Sequence, residues 1–453
     1  MKKLFTDFDS ITSKQWKQQI QFELKGTDYN ETLIWNSPED IPVKPFYHSD
    51  ENTLCFGTNG NVSNFKICQN IFVYDLEKSI IKANDSINRG AESIRFTIEN
   101  QETDIIKLLS NINSENITIY FNLSFLSTDF IQKIDDFIKS KEIKVFYNLD
   151  PVGHLAKDGN WFKTIENDNF QVLNDLSKKE LLGKGLISID AGLYQNAGAN
   201  MVQQIAYSLA HCNEYFNKLT INQPIVFRIS IGTNYFFEIA KLRAFRLVFN
   251  AIAAEYNHKF DCHILASPTK RNKTIYDYNT NMLRTTTECM SAILGGADSI
   301  SNLPYDAIYH KDNEFADRIS RNQLLILKHE SYFDKVNNPT DGSYYIEELT
   351  YQMAEKALSL FKDIENNGGF LKQLKDGTIQ RKINESANKE QNLFDSSKEI
   401  LLGTNKYPNK NDKMKDDLEL FPFVKINPRK TLITPIIERR LAEKLEMERL
   451  KNE

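Results

Sequence analysis

From about residue 75 to about residue 340 the chain alternates short β-prone runs with longer amphipathic helical patterns, and this alternation restricts its fold most. The β-prone runs fall at Ser93–Ile98, Ile117–Asn122, Lys144–Asn148, Leu186–Asp190, Ile225–Ile231, Cys262–Ala266 and Ser299–Ser301, with a weaker eighth near Lys335–Asn338. Between them lie helical patterns such as Glu77–Arg89, Asp129–Lys141, Asn200–Asn217, Phe236–Tyr256, Met282–Leu294 and Phe315–His329. Parallel neighbours in a sheet need a crossover, so the alternation predicts parallel pairing. Eight such units in about 250 residues match a (β/α)8 barrel better than an open doubly wound sheet. No G-x-G-x-x-G follows the first strand, which weakens the dinucleotide-binding alternative.

One unit shows the logic. Met282, Cys289, Met290, Ile293 and Leu294 lie on one helical face, Gly295-Gly296 stops the helix, and the short strand Ser299–Ser301 runs into the polar loop Asn302–Asp306. Outside the barrel, residues 1–50 form an expected N-terminal arm. It carries a short helix from Ser13 to Lys25 with Trp16, Ile20 and Leu24 on one face, and a turn-rich segment to His48 with no evident core to join. Residues 51–345 make up the expected barrel and residues 346–453 a helical C-terminal extension, ending in a charged helix from about Thr434 to Lys451.

Composition excludes several classes. A net charge of -5 offers no basic field for nucleic acid, and no apolar run of about 18 residues suggests a membrane span. The first ten residues lack the apolar core of a signal peptide. The five cysteines are far apart with no C-x-x-C pair, which fits a reducing cytoplasm.

The candidate chemistry is sparse. The seven histidines do not cluster, so a protein metal site is not expected. The run Asp261-Cys262-His263-Ile264-Leu265-Ala266 approaches D-x-H-x-x-G, by which one cobalamin class receives an axial histidine, but Ala266 replaces the glycine and the run lies on the sixth strand of the pattern. Gly232 and Asn234 precede a helix and could hold an anion, although a plain N-cap by Asn234 or Thr233 explains them as well. Arg284, Arg318 and Arg321 are expected in helix-to-helix salt bridges. The bulky Phe96, Tyr120, Phe121, Phe146 and Tyr147 are expected to fill the barrel axis.

Several blocks together resemble the methylmalonyl-CoA mutase family, and specifically its small, cobalamin-free subunit. They are NMLRTTTECMSAILGGADS, TNYFFEIAKLRAFRLVFNAIAAEY, RISRNQLLILKHES and NPTDGSYYIEELT, with FKICQN, NRGAESIRFTI and DPVGHLAKDGNWF earlier in the chain. The resemblance covers about residues 13 to 410. It implies a (β/α)8 barrel through which, in the catalytic chain, the acyl-CoA threads along the axis, with a separate C-terminal cobalamin domain. That chain's motif S-G-Y-H-M-Q-E-A-G-A falls on DAGLYQNAGA, so the family's active-site histidine is Leu193 here. Leucine cannot donate a hydrogen bond to a thioester carbonyl. The family tyrosine after R-Q falls on Asn70, a second histidine on Ser301, and a glutamine on Tyr276.

The resemblance therefore implies a non-catalytic small subunit, without cofactor or metal of its own and, ending at Glu453, without a cobalamin domain. Its partner would be a catalytic large subunit that carries adenosylcobalamin and isomerises (R)-methylmalonyl-CoA and succinyl-CoA, and Trp16, Ile20 and Leu24 would contact it. Two alternatives stay open: an active acyl-CoA mutase barrel using a cobalamin domain in trans, and a free-standing acyl-CoA binding barrel.

Overall fold

The computed structural model describes residues 9–453 except 52–56, 58, 59, 61, 114, 140, 142, 426 and 427. Eight strands form one parallel sheet: β1 Lys66–Phe72, β2 Ser93–Ile98, β3 Thr118–Leu123, β4 Lys144–Phe146, β5 Ser188–Asp190, β6 Val226–Ile231, β7 His263–Pro268 and β8 Ser299–Ile300. β8 pairs with β1 through Ser299 and Lys66. The other seam, between β4 and β5, is closed by parallel bridges at Phe146–Lys184 and Leu149–Ile187. Amides of Tyr147, Asn148 and Leu149 there donate to the carbonyls of Lys184, Gly185 and Leu186 at 2.8–3.2 Å. The sheet is a (β/α)8 barrel, as expected.

The count of eight is right, but it starts one strand too late. Lys66–Phe72 is the first strand, whereas Lys335–Asn338 is not a strand at all. Leu186–Asp190 consequently belongs to the fifth strand instead of the fourth, and His263 to the seventh instead of the sixth. Register decides which residues face the helices. Side chains alternate across a strand, and Ile94, Phe96, Ile98, Ile119, Phe121, Val145, Tyr147, Ile187, Phe227 and Ile264 all join the large apolar core between sheet and helices. Phe96, Phe121 and Tyr147 therefore do not fill the axis. Tyr120 and Phe146 do, together with Cys68, Val226 and Leu265.

Gly296 shows why the double glycine ends helix Thr280–Leu294. It sits at φ +86°, and a β-carbon there would come within 2.9 Å of Gly60. A left-handed residue without a side chain turns the chain into β8 at no steric cost.

The arm divides in two. Helix Ser13–Glu23 is closed by a capping box between Thr12 and Gln15, and among its residues only Ser13 is buried. The turn-rich segment, contrary to expectation, has a core to join. Its hairpin Trp35–Asn36 with Pro42–Val43 places Ile41 out of solvent, sets Trp35 edge-on against Phe237, and leads to Tyr47 against Tyr345.

The C-terminal extension begins as expected, with helices Tyr344–Asn366, Phe370–Lys375 and Thr378–Asp395. The terminal helix is shorter than its charge pattern predicts and covers only Glu443–Lys451. Pro435 disfavours helix at the residue before it, and several amides between residues 432 and 441 go to the barrel instead. Those of Leu432, Ile436, Arg439 and Leu441 donate to the carbonyls of Gly159, Ala156, Asn196 and Arg271 at 2.8–3.0 Å. The segment is a strap across the loops that follow β4, β5 and β7.

Candidate functional site

The inward rows of the strands carry two layers of different character. Toward the strand starts, Tyr120 and Phe146 stack at 5.0 Å between ring centroids, and His263 stacks on Phe146 at 4.6 Å. The Tyr120 hydroxyl bridges His263 Nε2 at 2.8 Å and Ser299 Oγ at 2.7 Å. Burial pushes the His263 pKa down, so the imidazole stays neutral, and it pushes the Tyr120 phenol well up. Three rings and a serine form a plug across the axis.

Two residues further along, the inward positions turn polar on every strand but β7, where Leu265 stands: Asn70, Thr97, Asn122, Asn148, Asp190, Arg228 and Ser301, with Arg95 between the layers on β2. Arg228 donates to Asn122 Oδ1 at 2.8 Å, reaching across the barrel, and pairs with Asp190 at 3.3 Å. Asn70 donates to Ser301 Oγ. Two of the four positions singled out in the sequence, Asn70 and Ser301, thus meet inside the barrel. Leu193 lies in the short helix Gly192–Asn196 just after β5, only 1% exposed and part of the apolar core. Tyr276 lies elsewhere, in the loop after β7, where its hydroxyl donates to Glu453 and the Arg449 guanidinium covers its ring at 3.7 Å.

Asp150, the N-cap of the helix after β4, fixes the loops beside Leu193. Its Oδ1 accepts from His211 Nε2 at 2.9 Å, the Tyr215 hydroxyl at 2.8 Å and the Gly153 amide at 2.8 Å, while Oδ2 accepts from the Asp190 amide at 3.0 Å. Burial raises the carboxyl pKa, but the charge and hydrogen bond of His211, with Arg228 and the Gly153 amide, outweigh it and hold the group at about 2. The His211 ring completes the chain by pairing its Nδ1 with the Tyr194 hydroxyl at 2.9 Å.

Other candidates resolve into structure. The Gly232 amide is taken by Glu238 Oε1 at 2.7 Å, and Asn234 makes no side-chain cap, so neither an anion site nor the expected asparagine cap forms. Arg321 donates to Gln69, Arg284 to Thr274, Asn281 and the Leu402 carbonyl, and Arg318 lies over Phe315. The expected salt bridges of these arginines are replaced by neutral acceptors and a ring face. Among the described residues no His, Cys, Asp and Glu group is arranged to hold a metal ion, and no helix is long and apolar enough to cross a membrane.

The polar axis is the functional feature that sequence reasoning missed, yet a signal was there. Strands buried on both faces usually read as unbroken apolar runs, but SIRFTI, TIYFNL and VFRISI alternate. In a closed parallel barrel the outward face meets helices, so the polar half must face the axis.

The family model for methylmalonyl-CoA mutase matches residues 104–434. The chain belongs to the methylmalonyl-CoA mutase family. It is 32% identical to the methylmalonyl-CoA mutase small subunit of Porphyromonas gingivalis, an alignment covering 90% of this chain and 71% of that one. Against the methylmalonyl-CoA mutase of Rhizobium meliloti it is 34% identical, covering 90% of this chain and 66% of the other. Against the small subunit of the Streptomyces virginiae mutase it is 30% identical over 57% of this chain and 43% of the relative. The chain thus spans less than two thirds of the length of the last two relatives. Within the mutase family's barrel, this member has a ring plug low in the axis and leucine at the mouth position described above.

Proposed function

We propose that this chain is the non-catalytic small subunit of a heterodimeric methylmalonyl-CoA mutase, whose large subunit isomerises (R)-methylmalonyl-CoA and succinyl-CoA. The observation that carries this reading is the burial of Leu193: by the sequence resemblance it falls on the position of the family's active-site histidine, and it is sealed in the apolar core, with no polar side-chain atom to offer a thioester. The small-subunit name of the Porphyromonas relative supports it.

Adenosylcobalamin, expected on the large subunit, supplies the radical chemistry there. The residues of this chain do not fit it. His263, the histidine in the nearest ligand pattern, is stacked in the axis with its Nε2 bound to Tyr120, so neither that nitrogen nor the ring is free to reach a corrin. The plug speaks in the same way against a free-standing acyl-CoA binding barrel, since it closes the axis along which an acyl-CoA would thread.

The arm supports a partner. Trp16 is 49% and Phe22 80% exposed, and Ile20 and Leu24 are half-buried on a helix that the hairpin behind it ties to the barrel. Aromatic anchors of this kind contribute about 2 kcal/mol or more to an interface, whereas exposed charges such as Lys14 and Lys17 contribute little.

The test is co-expression with the catalytic large subunit, followed by sizing and mutase assays of each chain alone and of the pair. Activity should appear only with the large subunit, and Trp16→Ala should weaken pairing by about tenfold or more. Turnover by this chain alone with cobalamin, or unchanged pairing after deletion of residues 1–24, would overturn the corresponding half of the proposal.

A further inference from the structure

The arm helix is too small to hold a partner by itself. Helix Ser13–Glu23 has 11 residues. At that length it is about 16 Å long and about 10 Å across, so its outer side covers well under the roughly 800 Å² per partner of a stable interface. A durable pair needs more surface than the arm helix offers.

Aromatic rings continue that surface onto the barrel. Trp16 stands edge-on to Phe46 at 6.4 Å between centroids, and Tyr47, the next residue, meets Tyr345 at 5.2 Å. Tyr345 in turn meets Phe236 at 5.5 Å. The line therefore runs from the arm helix to the first turns of helices Tyr235–Glu255 and Tyr344–Asn366. Trp35 joins it from the hairpin through its edge-on contact with Phe237.

These contacts leave much of the rings uncovered. Trp35 and Phe236 are each 49% exposed, and Tyr344 is 43% exposed. A fully buried aromatic side chain removes about 150–250 Å² from water, so the three leave about 300 Å² of ring surface open. Residues 35–36, 233–237 and 343–345, which carry these rings, include no charged side chain. Scattered exposed apolar residues are ordinary. Half-exposed rings that meet at one rim, in continuity with a second exposed tryptophan, are the anchors that interfaces use.

We propose that the partner seats on the arm helix and on this barrel rim together, with Trp35 and Phe236 as a second pair of anchors beside Trp16. The occupant is the large subunit, so the inference rests on the subunit reading proposed above. The face that it presents to the rim is apolar and uncharged, because a charge set against these rings would lose its water without gaining a counter-ion. Loss of the arm helix then weakens pairing without abolishing it.

The test measures pairing of the full chain with the large subunit by sedimentation velocity, for the unchanged chain and for Trp16→Ala, Phe236→Glu and Tyr407→Ala. Phe236→Glu should weaken pairing by about tenfold or more. Tyr407→Ala, which removes a 77% exposed ring of the C-terminal extension, should leave it unchanged. Weakened pairing in Trp16→Ala with normal pairing in Phe236→Glu would overturn this inference and leave the subunit reading standing, whereas no pairing by the unchanged chain would sink both. Self-association of the lone chain that Phe236→Glu abolishes, with heterodimer formation unaffected, would give the rim to a second copy of this chain instead. If Phe236→Glu fails to fold, hydrogen exchange of the unchanged chain decides. The amides of residues 233–238 should exchange more slowly in the pair than in the lone chain, and equal rates would refute the inference.

Discussion

Restoring a histidine at position 193 tests whether this part of the mouth is closed core or an open polar site. Leu193 is 1% exposed among apolar neighbours, so its burial contributes about 1.5–3 kcal/mol. In Leu193→His the imidazole recovers part of that area but brings two polar nitrogens into the core, and an unmatched buried donor or acceptor costs about 1–3 kcal/mol. A loss of about 3 kcal/mol is expected near pH 8. A second signature depends on pH. The free imidazole of the unfolded chain titrates near about 6.5, while burial lowers the folded value. Below that pH the unfolded state binds more protons than the folded one, so stability must fall as pH falls. At about 1.4 kcal/mol per pH unit the extra loss reaches about 2 kcal/mol at pH 5. Urea unfolding at pH 8, 6.5 and 5, compared with the unchanged chain at each pH, reads both effects. A variant within about 0.5 kcal/mol of the unchanged chain at every pH would mean that the imidazole faces water or a partner, and that position 193 is not closed.

Arg243→Met should destabilise by about 3–5 kcal/mol, because it removes the guanidinium that neutralises Glu347, 1% exposed and bound to Arg243 at 2.7 Å, and that also pairs with Asp341; adding Glu347→Leu should recover most of the loss in thermal unfolding. Asp150 has a depressed folded pKa, so its contribution is present above about pH 4 and is lost as pH falls toward about 2. Acid unfolding of Asp150→Asn should therefore lack about 2 kcal/mol of the pH dependence seen across that window. Burial raises the Cys68 thiol to about 11 and the Cys262 thiol to about 12, so iodoacetamide at pH 8 should leave both unmodified in the native chain, as mass spectrometry of the digest would show. Rapid alkylation of either would mean that the chain opens locally around it.

The sequence by itself determined the layout. Helix and strand periods differ, so seven of the eight barrel strands with their helices, the glycine stop at Gly295-Gly296 and the blocks that resemble the mutase family were legible in the sequence. Closure was not. The pairing of Ser299 with Lys66 joins residues more than two hundred positions apart, so local pattern could neither promote Lys66–Phe72 to the first strand nor demote Lys335–Asn338. The direction of the inward rows was legible where strands alternate, as in SIRFTI and VFRISI, and elsewhere it waits on the register that neighbouring strands fix. Phe96, Phe121 and Tyr147 read as axis fillers by bulk alone but pack against helices, and Arg95 drew no notice although its strand position faces the axis. At the C-terminus, the charged run Glu438–Arg440 reads as part of a helix from about Thr434, but Pro435 disfavours helix before it, and the amides of Leu432, Ile433, Ile436, Arg439 and Leu441 find carbonyls on the barrel loops.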